Sequence, residues 1–183
     1  MKKLFPSYAV IITVALLVSG CGGSRAFVKS VEEEESLVFG HFDMSDGPGS
    51  FNSAVMKRVK PATDKPYYGF GIDGDMFFRT AVPPGSYKFT SFGSFKSFGN
   101  TQYTFSMPPQ GRGEMDPIID KTGIYYVGSY KYKKVKTGFF EQDKFDVEKV
   151  SKPTERELLV KLLEKAKHPT WQAAIQKRIN ELK

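Results

Sequence analysis

Chemistry starts from side chains that can take a proton, attack a carbon or hold a metal, and this sequence has few of them. Its histidines are His41 and His168, and its single cysteine is Cys21. A general base or nucleophile needs a partner within hydrogen-bond reach. His41 alternates with Leu37 and Phe39, which places it on the packed side of a strand rather than in a catalytic pair. His168 stands just before Pro169 and a helical pattern, the position of a helix start. No G-x-S-x-G, H-E-x-x-H or Cys–His pairing occurs. Asp43 and Asp46 in DMSDGPGS, and Asp73 and Asp75 in DGD, are oxygen donors of the kind calcium takes. Neither stretch has calcium-loop spacing, and Asp-Gly is ordinary turn chemistry. The sequence therefore predicts no catalytic residue, no metal and no cofactor. Hydrolysis by a pair of carboxylates is the one enzymatic reading that needs no motif.

Cys21 is set apart by its neighbours. Lys2 and Lys3 open the chain, Ala9–Val18 is apolar apart from Thr13, and Ser19-Gly20-Cys21-Gly22-Gly23 is small. This is the charged, apolar and small-residue order of a secretory signal peptide, and it is too short to span a bilayer. An exported chain with one unpaired thiol would carry a reactive liability. Val18-Ser19-Gly20-Cys21 resembles the lipobox of bacterial lipoproteins. That resemblance implies cleavage before Cys21, a diacylglycerol on its sulfur and an acyl chain such as palmitate on its new amine. Three chains of this kind anchor a protein durably. In Gram-negative members an Asp after the cysteine retains the protein in the inner membrane. Gly22 stands there, so the resemblance implies the outer membrane, with the protein facing the periplasm or the cell surface.

Loss of residues 1–20 removes Lys2 and Lys3 and lowers the net charge from +7 to +5. The remaining length suits one domain with a full core. The mildly basic balance favours an anionic membrane surface or polymer. No nucleic-acid motif is present, and an exported chain meets little nucleic acid. Residues 21–36 read as the lipidated Cys followed by a flexible acidic tether, because glycines precede the run Glu32–Glu35.

Residues 37–150 are aromatic, short-patterned and punctuated by turns. TQYTFSM alternates Tyr103, Phe105 and Met107 with Gln102, Thr104 and Ser106, which predicts a half-buried strand. MFFRTAV and SYKFTSF flank Pro83-Pro84-Gly85, and residues 76–92 read as a hairpin with a type II turn, Gly85 taking the positive φ. Further strands are expected at 37–43, 54–60, 66–72, 123–135 and 139–150. The prediction is an antiparallel β-sandwich of about seven to eight strands. GDMFFRTAVPPGSYKFTSF is similar to a hairpin of prealbumin-like and carboxypeptidase-regulatory-like sandwich domains, and GIYYVGSY to a late strand of small lipoproteins sharing that fold. The resemblance implies the fold and transfers no catalytic residue.

Residues 151–183 read as two short helices. Thr154 and Glu157 form a capping box, followed by Leu158, Leu159, Leu162, Leu163 and Ala166. After Pro169, the residues Trp171, Ala174, Ile175, Arg178, Ile179 and Leu182 fall on one face. Both stripes are expected to cover the sandwich, with Trp171 pinning the last helix. Three groups remain as candidate partner contacts. Phe92, Phe95 and Phe98 sit three apart in an expected loop, Lys131 and Lys133 lie in YKYKKVK, and Trp171 serves if its stripe is exposed. The leading reading is a non-catalytic envelope lipoprotein that binds an envelope protein or an anionic envelope polymer. Beside it stand a carrier with an apolar cavity between the sheets and a hydrolase of envelope polymers.

Overall fold

The computed structural model describes residues 26–31, 35–107, 115–135 and 144–182. The chain runs β1 (Ser36–Asp43), β2 (Ser50–Lys60), β3 (Tyr67–Gly69), β4 (Gly71–Asp73), β5 (Met76–Val82), β6 (Gly85–Lys96), β7 (Thr101–Ser106), β8 (Ile118–Ile119), β9 (Ile124–Val135) and β10 (Lys144–Val150). Two helices follow, here α1 (Glu155–Lys165) and α2 (Pro169–Glu181). The strands form a mainly β sandwich of two sheets. A central sheet has the order β10-β9-β1-β5-β4, and an outer sheet has the order β3-β2-β6-β7 with β8 beside one end of β6. Both helices lie on the far side of the central sheet, so the molecule has three layers and two cores. Pairing is antiparallel except between β1 and β9, which run parallel.

The middle position of the central sheet explains the sequence of β1. A strand covered on both faces needs apolar residues at successive positions rather than alternate ones. Ser36–Gly40 is buried throughout. Val38 and Phe42 face the outer sheet and join Phe51, Phe77, Phe89 and Phe92 in one core. Leu37 and Phe39 face the helices and join Met76, Phe78, Leu158, Leu162, Trp171 and Ile175 in the other. The helices begin where the sequence predicts. Glu157 N–H donates to Thr154 Oγ1 at 3.3 Å while Thr154 N–H donates to Glu157 Oε2 at 2.7 Å. His168 caps α2, its Nδ1 accepting from Thr170 N–H at 3.3 Å ahead of Pro169.

Three expectations are corrected. Residues 76–92 are not a hairpin, because β5 belongs to the central sheet and β6 to the outer one, so Pro83-Pro84 carries the chain between layers. Prolines have no N–H to give a ladder, which suits a segment leaving one sheet for another. Gly85 does not have positive φ. It is required for space instead, since a Cβ there would lie 2.5 Å from Lys60 O and 2.8 Å from Arg58 Nε. The hairpin in this region is β4–β5, turned at Asp73-Gly74-Asp75 with Gly74 at φ +59°.

The flexible tether is shorter than expected. Phe27 is 1% exposed and packs between Phe78, stacked at 5.7 Å, and Trp171, edge-on at 5.6 Å. Val31 N–H donates to Thr170 Oγ1 at 3.0 Å, and His168 N–H donates to Phe27 O at 3.2 Å. Residues 26–31 are therefore part of the helix-side core. Cys21 and Glu32–Glu34 lie outside the described residues.

The segment from Phe92 to Phe98 is not a loop. β6 continues to Lys96, and the connection to β7 is only the turn after it. Phe92 faces the inter-sheet core, Phe95 is half-buried on the opposite face, and Phe98 is 90% exposed in the turn. A spacing of three puts alternate rings on alternate faces of a strand, so the three do not form one patch.

Candidate functional site

The layer order leaves one sheet face open to solvent among the described residues, the far side of the outer sheet. Strand register assigns its rows, because residues directly opposite share a face. Lys57 of β2 pairs with Tyr67 of β3 on one side and Lys88 of β6 on the other. Toward the same end, Lys60 pairs with Ser86, which pairs with Ile118 of β8. Farther along, Val55 stands beside Ser91 and Ser91 beside Ser106. Ser53, Gly93 and Thr104 form the next row, and Ser50, Phe95 and Gln102 the last. The face is thus cationic with exposed Tyr67 (62%) and Ile118 (72%) at one end, rich in small hydroxyl residues in the middle, and aromatic at Phe95.

The Lys57–Lys88 pair is the informative contact. Like charges directly opposite on antiparallel strands destabilise the pair. The only aromatic relief is on one side, where the Lys57 ammonium lies 5.6 Å from the Tyr67 ring centroid. Neither lysine has a carboxylate within ion-pair distance among the described residues. Asp116 is near Lys88, but burial raises its pKa against the opposing influence of Lys88, and its Oδ1 already accepts from Phe89 N–H at 3.1 Å.

Charge pairing in the rest of the molecule is different. Lys131 binds Asp46 at 2.9 Å, a contact that raises its pKa, and lies 3.8 Å from Asp43. Lys133 binds Glu148 at 3.3 Å, Lys152 binds Glu157 at 2.8 Å and Lys165 binds Asp73 at 3.0 Å. Arg178 holds Glu155 at 2.8 Å. All these pairs belong to the central sheet, its loops or the helices. On the outer sheet, Lys57, Arg58, Lys60, Lys65, Lys88 and Lys96 have no carboxylate partner among the described residues. The outer sheet thus carries no ion pair among the described residues, while the central sheet and helices carry several beside unpaired cations such as Lys161 and Lys177.

The other residues singled out from sequence fall elsewhere. Trp171 is fully buried under α2, and Phe92 is 3% exposed, so both are packing residues in this fold. Lys131 and Lys133 lie on β9, an interior strand, and are ion-paired. His41 lies under α1 at the helix-side face, with Nδ1 buried and unpartnered. Burial lowers its pKa, with Asp75 and Asp43 opposing and Lys161 adding to the effect. No group of three or more His, Cys, Asp or Glu residues converges among the described residues. The residues missed from sequence are Lys57 and Lys88, whose proximity comes from strand register alone.

Among the described residues the aromatic side chains between the sheets leave little room. The void lined by Phe42, Phe51, Phe77, Phe89 and Phe92 holds about 10 Å³, less than one probe sphere of water needs. The larger openings are surface grooves on either side of Tyr125. One of about 310 Å³ runs past Ile118 and Lys149, and one of about 540 Å³ runs between Gly123 and α2. Tyr125 itself is tied down, donating to Asp120 Oδ1 at 2.6 Å. No described helix is long and apolar enough to cross a membrane.

No protein family, curated protein or solved structure matches the chain.

Proposed function

We propose that the protein is a lipid-anchored, non-catalytic binding module of a bacterial envelope, held at the outer membrane through Cys21, and that its contact surface is the open face of the outer sheet. The observation that supports this reading most is the like-charged cross-strand pair on the open sheet face. Lys57 and Lys88 stand directly opposite each other on an exposed sheet face with no carboxylate in ion-pair range among the described residues, whereas Lys131, Lys133, Lys165 and Arg178 of the other layers each hold a carboxylate. An arrangement that works against stability yet occupies a solvent face fits a surface completed by an anionic partner. The small void between the sheets speaks against the carrier reading, which needs several hundred cubic ångströms. The lipobox resemblance of Val18–Cys21 supports the anchor.

Two measurements test the proposal. Mass spectrometry of the membrane-extracted protein is expected to give an acylated Cys21 at the N-terminus, and an unmodified Cys21 in mature protein rejects the anchor. Sedimentation of the protein with isolated envelopes is expected to fall when Lys57 and Lys88 are both changed to Glu, and to persist for Lys177→Glu on the exposed side of α2. Equal loss in both variants removes the sheet face as the contact surface.

A further inference from the structure

We infer that the partner of the outer-sheet face is an acidic polysaccharide strand rather than a bilayer or a folded protein. This rests on the proposal that the face is a contact surface, and it adds what the face contacts.

A protein interface of any strength has an aromatic or aliphatic centre with a polar rim. This face has the reverse order. Its middle rows are Val55 beside Ser91 and Ser106, and Ser53, Gly93 and Thr104, with Val55 the one aliphatic side chain among small hydroxyl residues. Its lysines and its exposed ring, Tyr67, stand at one end, and Phe95 stands at the other. Hydroxyl and amide groups along an open strip match the repeated hydroxyls of a sugar chain. A ring at each end offers a stacking platform for the apolar face of a pyranose. Lysines supply point charges for its acidic groups without requiring the fixed bidentate geometry of arginine. From the Lys57 row to the Ser50 row the strip is about 20 Å long by strand rise, enough for several sugar units.

Phe27 and Val31 are fixed on the helix side of the central sheet, against Trp171 and Thr170. The chain between Cys21 and Ala26 spans at most about 17 Å fully extended. The open face of the outer sheet lies beyond two sheets packed about 10 Å apart, with a helix layer of similar thickness behind them. An anchor rooted in the helix layer therefore cannot let the opposite face lie flat on the same bilayer, because the root would stand about 20 Å above it. The basic face is therefore not pressed on the membrane that holds the anchor, and it is open to other anionic material.

The test uses the full chain immobilised through a C-terminal tag and exposed in turn to alginate, uncharged dextran and phosphatidylglycerol vesicles. Alginate is expected to bind, dextran not, and binding is expected to weaken steeply with added salt. Replacing Lys57 and Lys88 with Gln is expected to weaken alginate binding at least tenfold. Thr104→Glu, which puts an acid in the middle of the strip far from the lysines, is expected to weaken it as well. If vesicles bind through Lys57 and Lys88 while alginate does not, the polysaccharide is wrong and the basic-face reading stands. If alginate binds no better than dextran and vesicles also fail, or if binding to either is untouched by both variants, the polysaccharide and the basic-face reading fall together.

Discussion

Replacing Trp171 with alanine tests whether the C-terminal helices are part of the core or a detachable arm. The indole is fully buried, and its edge meets the Phe27 ring at 5.6 Å, which in turn stacks on Phe78 of the central sheet at 5.7 Å. Truncation to the Cβ withdraws on the order of 170 Å² of apolar burial, about 4 kcal/mol at 25 cal/mol/Å². Large-to-small changes of a buried tryptophan fall in the range of about 3–5 kcal/mol once the cavity is included. Collapse is restricted because Leu158, Leu162 and Ile175 already pack around the site, so the expected loss is about 4 kcal/mol. With a urea dependence of about 2 kcal/mol per molar, the midpoint should fall by roughly 2 M. Since Trp171 is the single tryptophan, the unmodified protein can be followed by its emission, expected to be blue-shifted and shielded from iodide. The variant is followed by circular dichroism. Lys177→Ala, on the exposed side of the same helix, serves as control and should stay within about 0.5 kcal/mol. An unchanged midpoint for Trp171→Ala would refute the burial argument and make residues 169–183 a surface awaiting a partner.

Gly85→Ala is expected to destabilise by about 1–3 kcal/mol through overpacking, because its Cβ meets the immovable Lys60 carbonyl at 2.5 Å; a neutral result by urea titration would mean that the layer switch has slack. His41 should titrate below 6.5 by NMR, since burial lowers its pKa despite Asp75 and Asp43. The unfolded chain then takes up the proton first, so the contribution of neutral His41 to stability is complete above pH 6.5 and declines as pH falls toward the folded pKa. His41→Gln should flatten that part of the stability profile, and a His41 titration above 6.5 contradicts the argument. A double-mutant cycle with Lys57→Gln and Lys88→Gln should give an unfavourable coupling of about 0.2–1 kcal/mol that shrinks with salt; zero coupling at low salt means the ammonium groups do not feel each other.

What sequence revealed depended on how local the determinant was. The helices were readable because their signals lie within one turn. Thr154 and Glu157 cap each other, and His168 caps the helix opened by Pro169. β7 was readable because its alternation is clean and one face is solvated. β1 was recognised as a strand, but its burial on both faces was not foreseen, since the cover on its second face comes from helices over a hundred residues later. Phe27 was lost among glycines and glutamates because its partner, Trp171, is near the other end of the chain. The Pro83-Pro84-Gly85 segment was misread for a different reason. Its residues fit a tight turn within a sheet and a step between sheets equally well, and only pairing partners decide between them. The spacing of Phe92, Phe95 and Phe98 among glycines and serines was read as a loop because three-residue spacing puts Phe92 and Phe95 on opposite faces of a strand that alternates regularly, while Phe98 falls in the turn beyond it.

The candidate site has the least local determinant of all, since Lys57 and Lys88 become neighbours only through the register of β2 and β6. That register is fixed from the opposite face. Met56 and Phe89 are Cα partners directed into the inter-sheet core, the first fully buried and the second 5% exposed. Ala54 and Phe92 repeat the arrangement one step along. A slip of one residue would turn Met56 and Ala54 out to water and Lys57 inward, leaving an unpaired ammonium in an apolar layer. Loss of the buried contacts and the cost of the buried charge both exceed the few tenths of a kcal/mol by which two exposed lysines repel each other. The core therefore holds the lysines together against their own repulsion. The register fixes the backbone positions of the two lysines in the unbound protein, so the anionic partner proposed above would meet two cationic side chains already side by side, with only their rotamers left to order.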